Sequence, residues 1–128
     1  MYDFSAAIRA EQHKGGSNSD LAEYYMYAGQ CNQMLGQYEE ALSHYNYGVA
    51  KNPEYGDIYF HRGLAYVSLT NFEQGIEDFN LARDKPTQGE VNKFRILLNL
   101  GINLRRVNEL GKSIDTLKKA IEIQPNKA

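Results

Sequence analysis

The residues that most often carry catalysis or metal binding are few and scattered in this chain. It has three histidines, His13, His44 and His61, and one cysteine, Cys31. They form no His-Glu-x-x-His motif and no Cys-x-x-Cys motif, and the chain has no phosphate-loop glycine pattern. We therefore expect no catalytic residue, no metal ligand and no cofactor, and interpret the protein as a non-enzyme. Because Cys31 occupies the place that Ala65 holds 34 residues later, we expect a small buried core residue rather than a nucleophile.

Composition narrows the classes of partner. The chain has 128 residues, of which 42% are apolar, and 14 basic side chains against 16 acidic ones. This balance fits one globular domain and excludes a polybasic nucleic-acid arm, so we expect no nucleic-acid partner. The sequence also has no apolar run of about 18 residues, the length a membrane span needs, and no signal-peptide core. A single cysteine excludes an internal disulfide, and we expect a cytoplasmic protein without a membrane partner.

An internal repeat organises the chain. Residues 25–29 recur as residues 59–63, and residues 35–38 recur as residues 69–72, each 34 residues later. A weaker third copy spans residues 97–110, with its glycine 38 residues after Gly63, so four residues are inserted between the second and third copies. Within each copy, the i, i+3, i+4, i+7 spacing of a helix face occurs twice, separated by a break. Each copy therefore predicts a pair of helices closed by a proline.

Small residues recur where the two helices of each pair must approach closely, and they predict the pairs Gly29 with Ala41, Gly63 with Gly75, and Gly101 with Ser113. The unit resembles the tetratricopeptide repeat, and its best copy reads Tyr25, Ala28, Gly29, Tyr38, Ala41, Tyr45, Gly48 and Pro53. The second copy departs at Arg62, and the third replaces aromatic residues with leucines. The resemblance implies an all-α, right-handed α-solenoid of helix–turn–helix repeats.

In this frame the chain divides into three units, at residues 21–55, 56–89 and 90–128. Residues 1–14 are interpreted as a stray second helix of an incomplete repeat, and residues 15–20 as a linker before a capping box at residues 20–23. The insertion predicts that the first helix of the third unit is lengthened and begins near Gln88. Neither end carries a polar capping helix. We interpret the chain as a piece of a longer array, with a short self-associating protein as the alternative.

The face of each first helix that does not pair with the second helix is the candidate binding surface. By the resemblance, this face lines a concave groove that holds ligand peptides. Its residues are Met26, Tyr27, Gln30, Gln33, Phe60, His61, Leu64, Val67, Arg95, Leu98, Asn99, Ile102 and Arg105. We expect the apolar members to bury ligand side chains and the polar members to bond a peptide. The alternative is that the next segment of the protein, or a second copy, covers this face.

The resemblance implies a protein-interaction module of scaffold, adaptor or co-chaperone type, whose partner is a protein or peptide. The clamp that holds chaperone carboxylates in this family is disfavoured, because only Arg95 among the corresponding positions carries a suitable charge. The alternative function is architectural: a segment of an array, or a homo-oligomer joined through its uncapped ends. Residues 1–90 carry 6 basic and 13 acidic side chains, and residues 91–128 carry 8 and 3. A bound segment should therefore meet an acidic end and a basic end.

Overall fold

The structure, a computed structural model, describes residues 17–124. These residues form six α-helices and no strand: α1 (Asn18–Met34), α2 (Tyr38–Lys51), α3 (Gly56–Ser68), α4 (Phe72–Asp84), α5 (Lys93–Arg106) and α6 (Leu110–Glu122). Helices α1 and α2, α3 and α4, and α5 and α6 pack as pairs, and each pair contacts the next. The chain is an all-α helical-repeat solenoid, as predicted. The stray helix predicted at residues 1–14 lies outside the described residues.

The turn inside each pair repeats as closely as the helices do. Gly36, Thr70 and Asn108 follow the three first helices at equivalent positions, and all three have a left-handed backbone with φ of 77°, 62° and 66°. Glycine adopts this conformation freely, and asparagine tolerates it, whereas a β-branched threonine is strained there. The left-handed residue ends each first helix and turns the chain back onto it.

Close helix contact at the predicted small residues is confirmed in the second and third pairs. A side chain built at Gly63 would place its Cβ 3.2 Å from the carbonyl oxygen of Gly75. The hydroxyl of Ser113 donates to the carbonyl oxygen of Gly101 at 2.7 Å. In every pair the side chain nearest to the glycine lies sixteen residues later: Tyr45 for Gly29, Phe79 for Gly63 and Leu117 for Gly101. The pairing of Gly29 with Ala41 stays a prediction.

The second unit replaces the small residue of the repeat with a buried ion pair. Arg62 stands where the first unit has Ala28, and its Nε and Nη2 atoms donate to the two carboxylate oxygens of Asp78, each at 2.8 Å. Its Nη1 also donates to Asn46 Oδ1 at 3.0 Å, which ties the pair to the preceding unit. The exposed fractions of the Arg62 and Asp78 side chains are 16% and 4%. The departure at Arg62 is thus compensated by a partner on α4.

Two helix starts differ from the sequence predictions. Helix α1 begins after Ser17, whose hydroxyl accepts the backbone N–H of Asp20 at 3.1 Å, so the predicted capping box at residues 20–23 is wrong. Ser17 caps the helix because its side chain satisfies an N–H that the helix itself leaves unpaired. The prediction of a lengthened first helix in the third unit is also wrong. That helix, α5, begins at Lys93, five residues after the predicted start, and has 14 residues.

The inserted residues form a connecting segment instead of a helical turn. Gly89 has a φ of 65°, which a right-handed helix cannot continue through, and Asn92 caps α5 by accepting the N–H of Arg95 at 2.9 Å. Residues 85–92, which we call the inserted segment, fold back toward α3. The backbone N–H of Gly56 donates to the carbonyl of Pro86 at 3.1 Å, and Val91 is buried in the core.

Candidate functional site

The thirteen predicted groove residues lie on the three first helices: four on α1, four on α3 and five on α5. Helix α1 contacts α3 directly, and side chains of α3 and α5 share one core cluster that contains Phe60, Leu97 and Leu100. Arg95 of α5 lies over the ring of Phe60 of α3. The fold therefore places the predicted groove residues of neighbouring units side by side, although equivalent residues are 34 or more positions apart in sequence.

Three of the predicted contact residues are buried, and for them the expectation of an exposed binding side chain is wrong. The exposed fractions are 5% for Met26, 0% for Phe60 and 8% for His61. The ring of Phe60 lies between Phe79, 5.7 Å away between ring centroids, and the guanidinium of Arg95, 5.1 Å from its centroid. Phe79 of the same unit and Arg95 of the next unit thus enclose the residue on which the apolar groove was predicted to centre.

Polar side chains form the surface beside Phe60. Gln30 Nε2 donates to His61 Nε2 at 2.9 Å, which joins the first helices of two units. Gln33 accepts the hydroxyl hydrogen of Tyr45, which is buried in the first pair. Burial and, to a smaller extent, the positive charge of Arg95 together lower the pKa of His61 to about 4. His61 is therefore a neutral ring at physiological pH, held by one amide.

A cavity of about 340 Å³ opens beside this ring and is lined by Gln30, Gln33, Met34, His61 and Glu90. A second cavity, of about 290 Å³, lies against the turn before α3 and is lined by Asn52, Glu54, Tyr55, Asp57, Pro86, Thr87 and Gln88. The inserted segment contributes to both. Its residues Glu90 and Gln88 were not among the predicted site residues, and the only feature of the sequence that marks them is the break in the 34-residue period.

The other predicted groove residues are accessible to different extents. Tyr27 is exposed and its hydroxyl donates to Glu23 at 3.0 Å, and Arg105 is exposed near the end of α5. Asn99 is half-buried and donates its side-chain N–H to the carbonyl of Arg95 at 2.8 Å. The aliphatic members are half-buried: Leu64, Val67, Leu98 and Ile102. Leu64 and Val67 pack against the core cluster of the second and third units. The aliphatic members therefore offer only part of their surface to a ligand.

Residues that could do other chemistry are accounted for by local contacts. Within residues 17–124, no group of His, Cys, Asp and Glu side chains could hold a metal ion. His44 Nδ1 bonds Asn32 Oδ1 at 2.7 Å. Cys31 is half-buried, so the prediction that it is buried in the core is wrong. None of the described helices is long and apolar enough to cross a membrane.

Comparison with protein-family models gives two matches. A model described as "TPR repeat" matches residues 34–69, and one described as "Tetratricopeptide repeat" matches residues 94–127. A curated relative, the small glutamine-rich tetratricopeptide repeat-containing protein of Dictyostelium discoideum, is 26% identical over 116 residues. That alignment covers 90% of this chain and 33% of the relative. The chain thus spans about a third of the length of the curated relative that it matches.

Solved structures of repeat proteins share the fold. YrrB, described as a TPR protein with an unusual peptide-binding site, aligns with a TM-score of 0.80 at 17% identity, over 96% of this chain and 58% of YrrB. The first TPR of Spaghetti (RPAP3), bound to the HSP90 peptide SRMEEVD, aligns with a TM-score of 0.76 at 22% identity, over 87% of this chain and 85% of that one. At these identities the likeness concerns the fold.

Proposed function

Because the chain belongs to the tetratricopeptide repeat family, we propose that it is a non-enzymatic, cytoplasmic protein-interaction module that binds a peptide or helix on the face formed by α1, α3 and α5. The observation that carries this proposal is the cavity of about 340 Å³ where the side chains of two first helices and the inserted segment converge. Concave sites with a few convergent polar groups are where ligands bind most often. Peptide-bound members of the same fold support the class of partner.

The chemistry of the cavity favours hydrogen bonding over apolar burial. Gln30, Gln33 and Glu90 present amide and carboxylate groups, and Met34 provides an exposed apolar wall. Such groups suit the backbone and polar side chains of an extended segment. Partly exposed aliphatic residues further along α5 add to the apolar contact that Met34 provides, so a ligand gains both orientation and affinity along one path.

The experiment that tests this function selects peptides on the purified chain from a random library and measures their affinity by calorimetry. Loss of one hydrogen bond costs about 1 kcal/mol, which is about fivefold in affinity, so Gln30→Ala and Asn99→Ala should each weaken binding about fivefold. Gln74→Ala, an exposed amide on α4, is the matched control and should bind as wild type does. Peptides that bind all three variants equally well would place the binding surface elsewhere.

A co-chaperone role is tested by measuring how fast the chain associates with a chaperone peptide. The peptide SRMEEVD is bound by the first TPR of Spaghetti, and it carries carboxylates that need cationic partners. Arg95 and Arg105 are the groove cations of this chain, at the end that we predict to meet acidic residues, opposite Glu23. Arg105→Glu should slow association with this peptide, and the effect should shrink as salt is added. Equal association rates for both proteins at low salt would exclude the bipolar orientation.

The architectural alternative is favoured by one observation, an apolar stripe on α6. The exposed fractions are 52% for Leu110, 54% for Ile114 and 61% for Ile121, and the three residues share one face of the helix. At the equivalent position of α4, Ile76 packs against the core cluster to which α5 contributes. The stripe thus corresponds to a face that a following helix covers inside the array, and isolated patches of this kind mark interaction sites.

Sedimentation velocity separates the two functions. If the stripe joins copies of the chain, wild type should form dimers or larger species at micromolar concentration, and Ile114→Glu should be monomeric. Lys112→Glu, which lies on the same helix but outside the stripe, is the matched control. A wild type that stays monomeric and binds selected peptides supports the groove function instead.

A further inference from the structure

The ring of Phe60 is the largest apolar group on the predicted groove face, and it is sealed by a charged side chain. Arg95 lies with its guanidinium carbon 5.1 Å from the ring centroid, an attractive arrangement of a cation over an aromatic face. The side chain of Arg95 is 40% exposed, whereas Phe60 is fully buried. Arg95 therefore lies on the solvent side of the ring.

The inserted segment holds Arg95 in this position. Arg95 Nη1 donates to the carbonyl oxygen of Glu90 at 3.1 Å and lies 3.8 Å from a carboxylate oxygen of the same residue. The segment is fixed to α3 in turn, because the backbone N–H of Gln88 donates to Asp57 Oδ1 at 3.2 Å and the carbonyl of Pro86 accepts the N–H of Gly56. Both anchors belong to the first turn of the helix that carries Phe60.

We propose that Arg95, positioned by the inserted segment, determines the selectivity of the groove: it covers Phe60, so that at this position of the second unit a ligand meets polar groups and not the aromatic ring. This inference rests on the proposed peptide-binding function and specifies its ligand class. The ligand is a segment with hydrogen-bonding side chains opposite α3, because an apolar side chain there would have to displace a paired cation from the ring. The accessible polar side chains of the neighbouring cavity, Gln30, Gln33 and Glu90, then make the contacts.

The cover itself is tested without a ligand. Nile red, a neutral dye that fluoresces on apolar surfaces, is added to wild type, Arg95→Ala and Arg105→Ala. We expect a several-fold rise in fluorescence for Arg95→Ala and wild-type fluorescence for Arg105→Ala, which removes an exposed arginine from the same helix. Equal fluorescence for Arg95→Ala and wild type would overturn the proposal, and so would an equal rise in both variants.

A measurement on the wild-type chain applies even where Arg95→Ala fails to fold. The ring current of Phe60 should shift the side-chain proton resonances of Arg95 upfield by several tenths of a part per million relative to those of Arg105. Unshifted Arg95 resonances would show that the guanidinium does not cover the ring, and the proposal would be wrong.

Peptide selection then tests the consequence for the ligand. Libraries selected on Arg95→Ala should be enriched in aromatic and aliphatic residues relative to those selected on wild type. Lys112→Ala, which removes an exposed cation outside the groove face, should give the wild-type preference. The same preference on wild type and Arg95→Ala would exclude a selectivity role while leaving peptide binding intact. If no protein selects any peptide, the proposed function fails, and the dye and resonance measurements still decide whether Arg95 covers Phe60.

Discussion

Protonation of His61 should destabilise the fold as the pH falls from 7 to 5. Its pKa is about 4 in the folded chain, because the ring is buried and faces Arg95, against about 6.5 in the unfolded chain. Between these values the unfolded chain binds more protons than the folded chain, so stability falls as the pH falls. The full difference is about 3 kcal/mol, of which about 2 kcal/mol is lost between pH 7 and pH 5.

Other buried groups contribute to the same pH profile, and their effects have to be separated. Burial lowers the pKa of His44, which adds to the loss of stability in acid, whereas burial raises the pKa of the Asp57 and Asp78 carboxyls and acts in the opposite direction. The effect of His61 is therefore measured as the difference in the free energy of unfolding between wild type and His61→Gln. His61→Gln keeps a side chain that can bond Gln30 but removes the titrating ring.

The assay is urea unfolding followed by circular dichroism at pH 7, 6 and 5. We expect the free energy of unfolding of wild type to fall by about 2 kcal/mol more than that of His61→Gln between pH 7 and pH 5. His44→Gln serves as the second comparison, and because His44 is only half-buried it should remove less of the slope. Parallel profiles for wild type and His61→Gln, or a folded-state His61 pKa near 6.5 by NMR titration, would refute the burial of this ring.

Three further predictions concern the repeat frame, and thermal and urea unfolding check each of them. Gly63→Leu should destabilise the fold by several kcal/mol because its Cβ would overlap the facing helix, and an unchanged melting temperature would contradict the assigned contact. Gly36→Ala should cost about 1 kcal/mol, and Thr70→Gly should stabilise by about the same amount, because both positions are left-handed; equal effects of the same sign would exclude this explanation. Asp78→Asn should cost about 3 kcal/mol by leaving Arg62 buried without its charge partner, whereas the double change Arg62→Met and Asp78→Leu should cost much less.

The helix pairs could be predicted from the sequence because the contacts within one unit recur in every unit, and so do the residue types that those contacts require. Gly63 and Gly75 lie twelve residues apart in sequence and meet across one turn, so the requirement for small side chains recurs with the period. The same reasoning found the turn at Gly36 and the pairing of Gly101 with Ser113. It did not identify the larger side chain that fills the space beside each glycine, which is Tyr45 at Gly29, Phe79 at Gly63 and Leu117 at Gly101.

The inserted segment could not be predicted in the same way, because no second copy exists to compare with it. Four extra residues equal about one helical turn, and the sequence alone does not decide between a longer helix and a loop. Two local features make this segment a loop and not a longer helix: the left-handed backbone at Gly89 and the capping side chain of Asn92. A Thr87–Glu90 capping box has the right spacing, but Asn92 stands directly before an uninterrupted helical run.

The groove residues show that helical spacing predicts which face of a helix a residue occupies better than it predicts how exposed the side chain is. Helical spacing predicted that Phe60 faces away from the pairing helix, yet Phe60 is buried, with Phe79 of the pairing helix α4 on one side and Arg95 of the next unit over its ring. The contact joins residues 35 positions apart and depends on how successive units are stacked. In a solenoid, contacts within a unit determine which side chains point into the groove. Contacts between units determine which of them a ligand can reach, and at Phe60 that contact comes from Arg95, which follows the inserted segment and is bonded to it.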